Sequence, residues 1–129
     1  MTRSDASLFS FGYARVYSSP DGMSHFGNEV LAMQPEVYVQ GVPVVDSAEP
    51  VPATDLRFSR RNGLAGAWHR APRRQFVLVL SGVLEVTVGD GEARRFGPGS
   101  VLLVEDTTGH GHRTRAFGTD DAVYATVAV

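Results

Sequence analysis

The chain has 129 residues, 43% of them hydrophobic and 20% charged, with a formal net charge of -2; this suits one soluble domain around a single core and gives no basic footprint for nucleic acid. There is no cysteine, which excludes disulfides, thiolate nucleophiles and Cys-ligated zinc, and all 12 basic residues are arginine, so no lysine is available for Schiff-base chemistry. No apolar run approaches the roughly 20 residues that span a bilayer, and residues 1–7 carry an acid and lack an apolar h-region, so the expected location is cytoplasmic, with no membrane and no nucleic-acid partner.

Read in chain order, the sequence predicts strands and turns almost throughout. Tyr13-Ala14-Arg15-Val16-Tyr17 reads as a strand and Ser19-Pro20-Asp21-Gly22 as a turn. Residues 29–33 suggest at most one helical turn, and Val37-Tyr38-Val39-Gln40 a further strand. Residues 42–54 contain Pro43, Pro50 and Pro52 and read as an outer loop. The clearest hairpin is 75–96. In it a continuous apolar run, Phe76-Val77-Leu78-Val79-Leu80, meets the turn Ser81-Gly82, and Leu84-Glu85-Val86-Thr87-Val88 alternates with the period of a half-buried strand. Asp90-Gly91 is the favoured dipeptide of a two-residue hairpin loop, and residues 92–96 return as a polar strand. Gly97-Pro98-Gly99 turns the chain again. Val101-Leu102-Leu103-Val104, residues 112–117 and residues 123–129 complete a single antiparallel barrel. Glycine and proline at short intervals support the all-β assignment. One domain is expected over 1–129, with an N-terminal arm and strands over about 1–54 and the main barrel over about 55–129.

Two segments about thirty residues apart carry the chemistry. The first is Trp68-His69-Arg70-Ala71-Pro72-Arg73-Arg74-Gln75, followed by an apolar run and Gly82. The second is Gly97-Pro98-Gly99-Ser100, an apolar strand, and Glu105-Asp106-Thr107-Thr108-Gly109-His110-Gly111-His112. Together they resemble the two motifs of the cupin superfamily, and more narrowly a subgroup of small bacterial single-domain cupins. In that pattern His69 takes the first histidine position, Ala71 falls on the second, Gln75 falls on the glutamate, and Gly82 follows at the family's spacing. His110 is favoured for the last histidine by spacing alone. His112 is preferred, because the loop before it is long and the residues after it alternate as a strand. The resemblance covers roughly residues 55–129 and extends more weakly to residues 21–26, which include His25. It implies a cupin-type jelly roll, and a homodimer, as is common among small cupins.

A typical cupin offers three histidines and a glutamate to Fe, Mn, Ni or Zn. Here the resemblance supplies His69, Gln75 and His112 as metal ligands, a poorer set than two imidazoles with a carboxylate; His25 or Glu105 is available to complete it. The cofactor expectation is therefore none, or one divalent metal ion. With the metal removed, the barrel interior becomes an apolar pocket with a few convergent polar groups. Ala71, Val77, Val79, His25, Arg73 and Tyr124 are its expected walls, and a small molecule is the expected partner. His69 and His112 would transfer protons and Gln75 would polarise a carbonyl, as in dehydration, isomerisation or cyclisation of a largely apolar metabolite. Two alternatives stand beside that lyase- or isomerase-type enzyme. One is a metal-dependent oxygenase or isomerase using the same residues, and the other is a non-catalytic binding domain. Of Arg73 and Arg74, adjacent on a strand, one points inward and one outward. Glu105 and Asp106 read as a solvated pair, as loop hydrogen-bonders or, for one of them, as a base at the rim. His110, between two glycines, reads as a loop residue, and Trp68 as a core or interface aromatic.

Overall fold

The structure is a computed structural model that describes residues 10–129; the expectation for residues 1–7 lies outside them. Eleven strands and no helix are found among the described residues. They are β1 (Ser10–Ser18), β2 (Ser24–Ala32), β3 (Gln34–Glu36), β4 (Val45–Ser47), β5 (Asp55–Arg61), β6 (Gln75–Ser81), β7 (Leu84–Thr87), β8 (Ala93–Phe96), β9 (Val101–Val104), β10 (Arg113–Ala116) and β11 (Ala122–Ala128). A six-stranded sheet runs β2-β1-β9-β6-β11-β5, a three-stranded sheet runs β10-β7-β8, and β3 pairs with β4 alone. The result is the all-β jelly roll that the sequence suggested, but it is not antiparallel throughout: β1 runs parallel to β9.

One core joins the two larger sheets. Strand side chains alternate between faces, so Val16 of β1, Val77 and Val79 of β6 and Leu102 and Val104 of β9 share the inner face of the six-stranded sheet. They meet Leu84 and Val86 of β7, Phe96 of β8 and Ala116 of β10. This facing requirement corrects the hairpin read over 75–96. β6 pairs with β9 and β11, and β7 pairs with β8 and β10. Ser81-Gly82 carries the chain from one sheet to the other, so that the buried face of β6 meets that of β7 across the core.

The turn at Asp90-Gly91 also differs from its expected form. The ladder of β7 and β8 ends at Thr87 and Ala93. The amide of Val88 donates to the carbonyl of Glu92 at 2.9 Å, and that of Gly91 donates back to Val88 at 3.0 Å. That is a three-residue loop, with Gly91 at φ 96° in the left-handed position such loops need.

In the N-terminal third, residues 29–33 are not a helical turn. Most of that stretch belongs to β2, which pairs with β1 along its whole length. Residues 37–40 form no strand, and β4 is a short piece inside the loop read over 42–54. β5 was not expected. It pairs with β11 from Asp55 against Ala128 to Arg61 against Ala122.

Candidate functional site

A cavity of about 570 Å³ opens between β5, β11 and β6 of the larger sheet and β7 and β10 of the smaller. That volume lies within the range of small-molecule sites. Val77, Leu84, Val86, Leu102 and Val104 line its floor, and Tyr124, Thr126, Ser59 and Thr114 its sides.

His69 and His112 stand together on its wall. Their backbones form an isolated antiparallel bridge, each amide donating to the other's carbonyl at 2.9 Å. Residues directly opposite in such a pair project to the same face, and here the ring centroids are 4.8 Å apart. The bridge depends on Gly111, whose φ is 82°. A Cβ there would run into the carbonyl of His69, so no side chain is tolerated immediately before His112.

The partners of the two rings determine their tautomers. Nδ1 of His112 lies 2.5 Å from Oδ2 of Asp106, with both side chains buried. Nδ1 of His69 lies 3.0 Å from the carbonyl oxygen of Ala67. An ionised carboxylate and a carbonyl only accept, so each neutral ring carries its proton on Nδ1 and keeps a lone pair on Nε2. Neither Nε2 has a hydrogen-bond partner among the described residues. Asp106 is 0% exposed, its carbonyl accepts from the amide of Ala71 at 3.0 Å, and its second oxygen, Oδ1, has no partner. Glu105, one residue earlier, turns the other way. It binds Arg15 of β1 and, at 2.7 Å, Arg74. Burial alone would raise its carboxyl pKa, but the bonds from Arg74 and Arg15 outweigh burial and hold it below its ordinary value.

The structure brings His69, Ala71, Arg73, Gln75, Val77, His112 and Tyr124 to this one cavity. Two expected wall residues are elsewhere. Val79 is buried deeper in the core, because the cavity closes above it. His25 lies on the outer side of β2, where its ring bridges Ser19 Oγ at 2.8 Å and Asp90 Oδ2 at 2.9 Å. Its strand register puts Ser24 and Phe26 inward and His25 outward. His110 is exposed and packs on Trp68, with ring centroids 4.5 Å apart; Trp68 is a half-exposed surface aromatic.

The sequence reading missed four wall or support residues. Asp106 reads from the sequence as a loop carboxylate or a base at the rim, not as the buried partner of His112. Arg57, Arg61 and Arg70 all line the cavity, and Arg57 and Arg61 share a face of β5 with Ser59 through the period-2 alternation. That alternation was the available signal, but the strand carrying it had not been identified. The cavity is apolar over much of its lining, as expected, but four arginines also line it.

The donor set does not fit a resident divalent metal. Ala71 presents a methyl group where a third imidazole would stand. Gln75 presents a neutral amide, and no carboxylate lines the cavity, whereas four arginines do. Among the described residues no group of three or more His, Asp or Glu side chains is placed to hold a metal ion.

The family model described as "Cupin domain" matches residues 60–127. Comparison with curated proteins finds no match. Among solved structures the chain is similar to protein NMB1881 from Neisseria meningitidis, at 16% identity and a TM-score of 0.49 over 74% of this chain and 82% of that one. It is also similar to the conserved SPY1581 protein of unknown function from Streptococcus pyogenes, at 23% identity and a TM-score of 0.42 over 61% of this chain and 69% of that one.

Proposed function

The chain belongs to the cupin domain family, and from that premise we propose that it is an enzyme of non-oxidative acid–base chemistry, a dehydratase, isomerase or cyclase acting on a small organic carbonyl compound. The observation that carries this reading is the buried 2.5 Å contact between His112 and Asp106 in the cavity wall. A carboxylate on Nδ1 fixes the tautomer that leaves Nε2 basic, and it stabilises the imidazolium formed when Nε2 accepts a proton. His112 is then the base that removes a proton from the carbon beside a carbonyl. Returned to another atom of the substrate, that proton completes an isomerisation; delivered to a departing hydroxyl, it completes a dehydration. Gln75, at the start of β6, supplies an amide N–H to the oxygen on which negative charge develops. His69, with its own Nε2 free, is the second proton carrier.

The test is exchange in D₂O. The protein is incubated with a panel of small ketones, keto acids and β-hydroxy carbonyl compounds, and NMR follows loss of the proton next to the carbonyl. Exchange with at least one compound is expected, slowed about 100-fold or more in His112→Gln. Wild-type rates in that variant and in His69→Gln would remove both histidines from the chemistry. Exchange that starts only when Fe, Mn, Ni or Zn is supplied would favour the metal-dependent alternative instead.

A further inference from the structure

We propose that the ligand of this cavity is an organic carboxylate with an apolar body, its carboxylate held by Arg57, Arg61 and Arg70 and its body lying on the floor of Val77, Leu102 and Val104. The proposal rests on the reading above that this cavity is the functional site, and it adds the class of molecule bound there.

The argument begins with how the chain uses its arginines. Arg15, Arg60, Arg73, Arg74, Arg94, Arg95 and Arg115 each have an acidic partner. Among the described residues, Arg57, Arg61, Arg70 and Arg113 have none. Three of those four line the one cavity that holds the two histidines. A shortage of acids does not explain this, since the chain has 14 acidic residues against 12 basic ones. No Asp or Glu side chain lines the cavity, so three cations face a space from which the protein's own counter-charges are excluded.

Arg61 gives a second, independent sign. Its Nε is buried and has no hydrogen-bond partner, and its guanidinium reaches only the carbonyl of Thr114 at 3.4 Å. A buried charged donor without an acceptor is costly. An incoming anion supplies the acceptor. The planar guanidinium fork matches a carboxylate in two-point contact.

The floor then selects what the anion is attached to. Val77, Leu84, Val86, Leu102 and Val104 offer aliphatic surface and no donor, which suits a branched or aromatic hydrocarbon portion rather than a sugar. The cavity of about 570 Å³ has room for such a body beside the carboxylate, and His112 and Gln75 also line it.

Binding is read by isothermal titration with benzoate, phenylacetate and 4-methylpentanoate, each beside its neutral amide and beside phenyl phosphate. The expected result is that at least one carboxylate binds at least tenfold tighter than its amide. Arg57→Gln and Arg70→Gln should each weaken it about tenfold, about the 1.4 kcal/mol that factor represents. Arg113→Gln, which removes the same charge outside the cavity, should leave binding unchanged. Amides binding as well as acids, Arg57→Gln and Arg70→Gln binding like the parent, or no carboxylate binding at millimolar concentration would each overturn the proposal. Tighter binding of phenyl phosphate would overturn the carboxylate assignment in favour of a phosphate ester. Because no turnover is needed, this result can fail while the proton-exchange chemistry of His112 stands, or hold while that chemistry fails.

Discussion

Asp106 and Glu105 are adjacent and of the same charge type, yet one sits inside on His112 and the other outside on Arg15 and Arg74. For Asp106 the expected consequence is spectroscopic. ¹⁵N NMR of the imidazoles at neutral pH should show His112 with its proton on Nδ1. In Asp106→Leu, of similar bulk but without an acceptor, the signals should move toward a mixture of tautomers. An unchanged His112 spectrum would mean that the carboxylate does not set the tautomer. Gly111 is the second residue-scale case. Alanine there meets both a left-handed backbone and the carbonyl of His69, so Gly111→Ala should cost about 2–4 kcal/mol of stability. Gly91 has a similar φ but open space around its missing Cβ, so Gly91→Ala should cost only about 1 kcal/mol. Denaturant midpoints of the two variants check the difference, and equal losses would show that the collision with His69 is relieved by movement.

Glu105 makes the same point between elements. It follows β9, and its carboxylate ties that strand to β1 through Arg15 and to the turn before β6 through Arg74, while its amide donates to Val16 at 2.7 Å. Since its folded pKa lies below its unfolded one, these bonds contribute fully above the ordinary carboxylate range and are lost as pH falls through the lower, folded value. Glu105→Gln should therefore be less stable than the parent by about 1 kcal/mol at neutral pH. The gap should close on acidification below that folded value. Urea midpoints taken across acidic to neutral pH test the sign, and a gap that persisted in acid would mean that packing, not charge, is lost.

The two sheets of the whole molecule share one core, and the cavity is a part of that core left unfilled at one end. Leu84 belongs to both: it is 2% exposed within the core and also lines the cavity. Leu84→Ala should cost about 2–5 kcal/mol. Because one core joins both sheets, unfolding followed by tryptophan fluorescence and by far-UV circular dichroism should remain a single coincident transition. Separate transitions would show that the sheets unfold independently. No helix among the described residues is long and apolar enough to cross a membrane.

Local chemistry in the sequence was enough to identify the architecture and half of the site. Strand periodicity and turn residues pointed to β1, β8, β9, β10 and β11. The family resemblance brought His69 and Gln75 forward, and the long loop before His112 with the strand alternation after it favoured His112 over His110. Pairing between strands was not local. Whether β6 lies beside β7 or opposite it depends on which faces must be buried together, and that is settled only when the whole core closes. The same holds for β5, whose alternation is inverted: Leu56 and Phe58 lie on its exposed face and Arg57, Ser59 and Arg61 on the cavity side. Its arginines acquire meaning only when β11 carries them to the cavity. Nothing in Glu-Asp-Thr-Thr distinguishes an inward carboxylate from an outward one. Arg15 and Arg74, distant in sequence, hold Glu105, and His112 holds Asp106. The tertiary structure alone assigned those partners, because the energy of a charge depends on the groups that folding places around it.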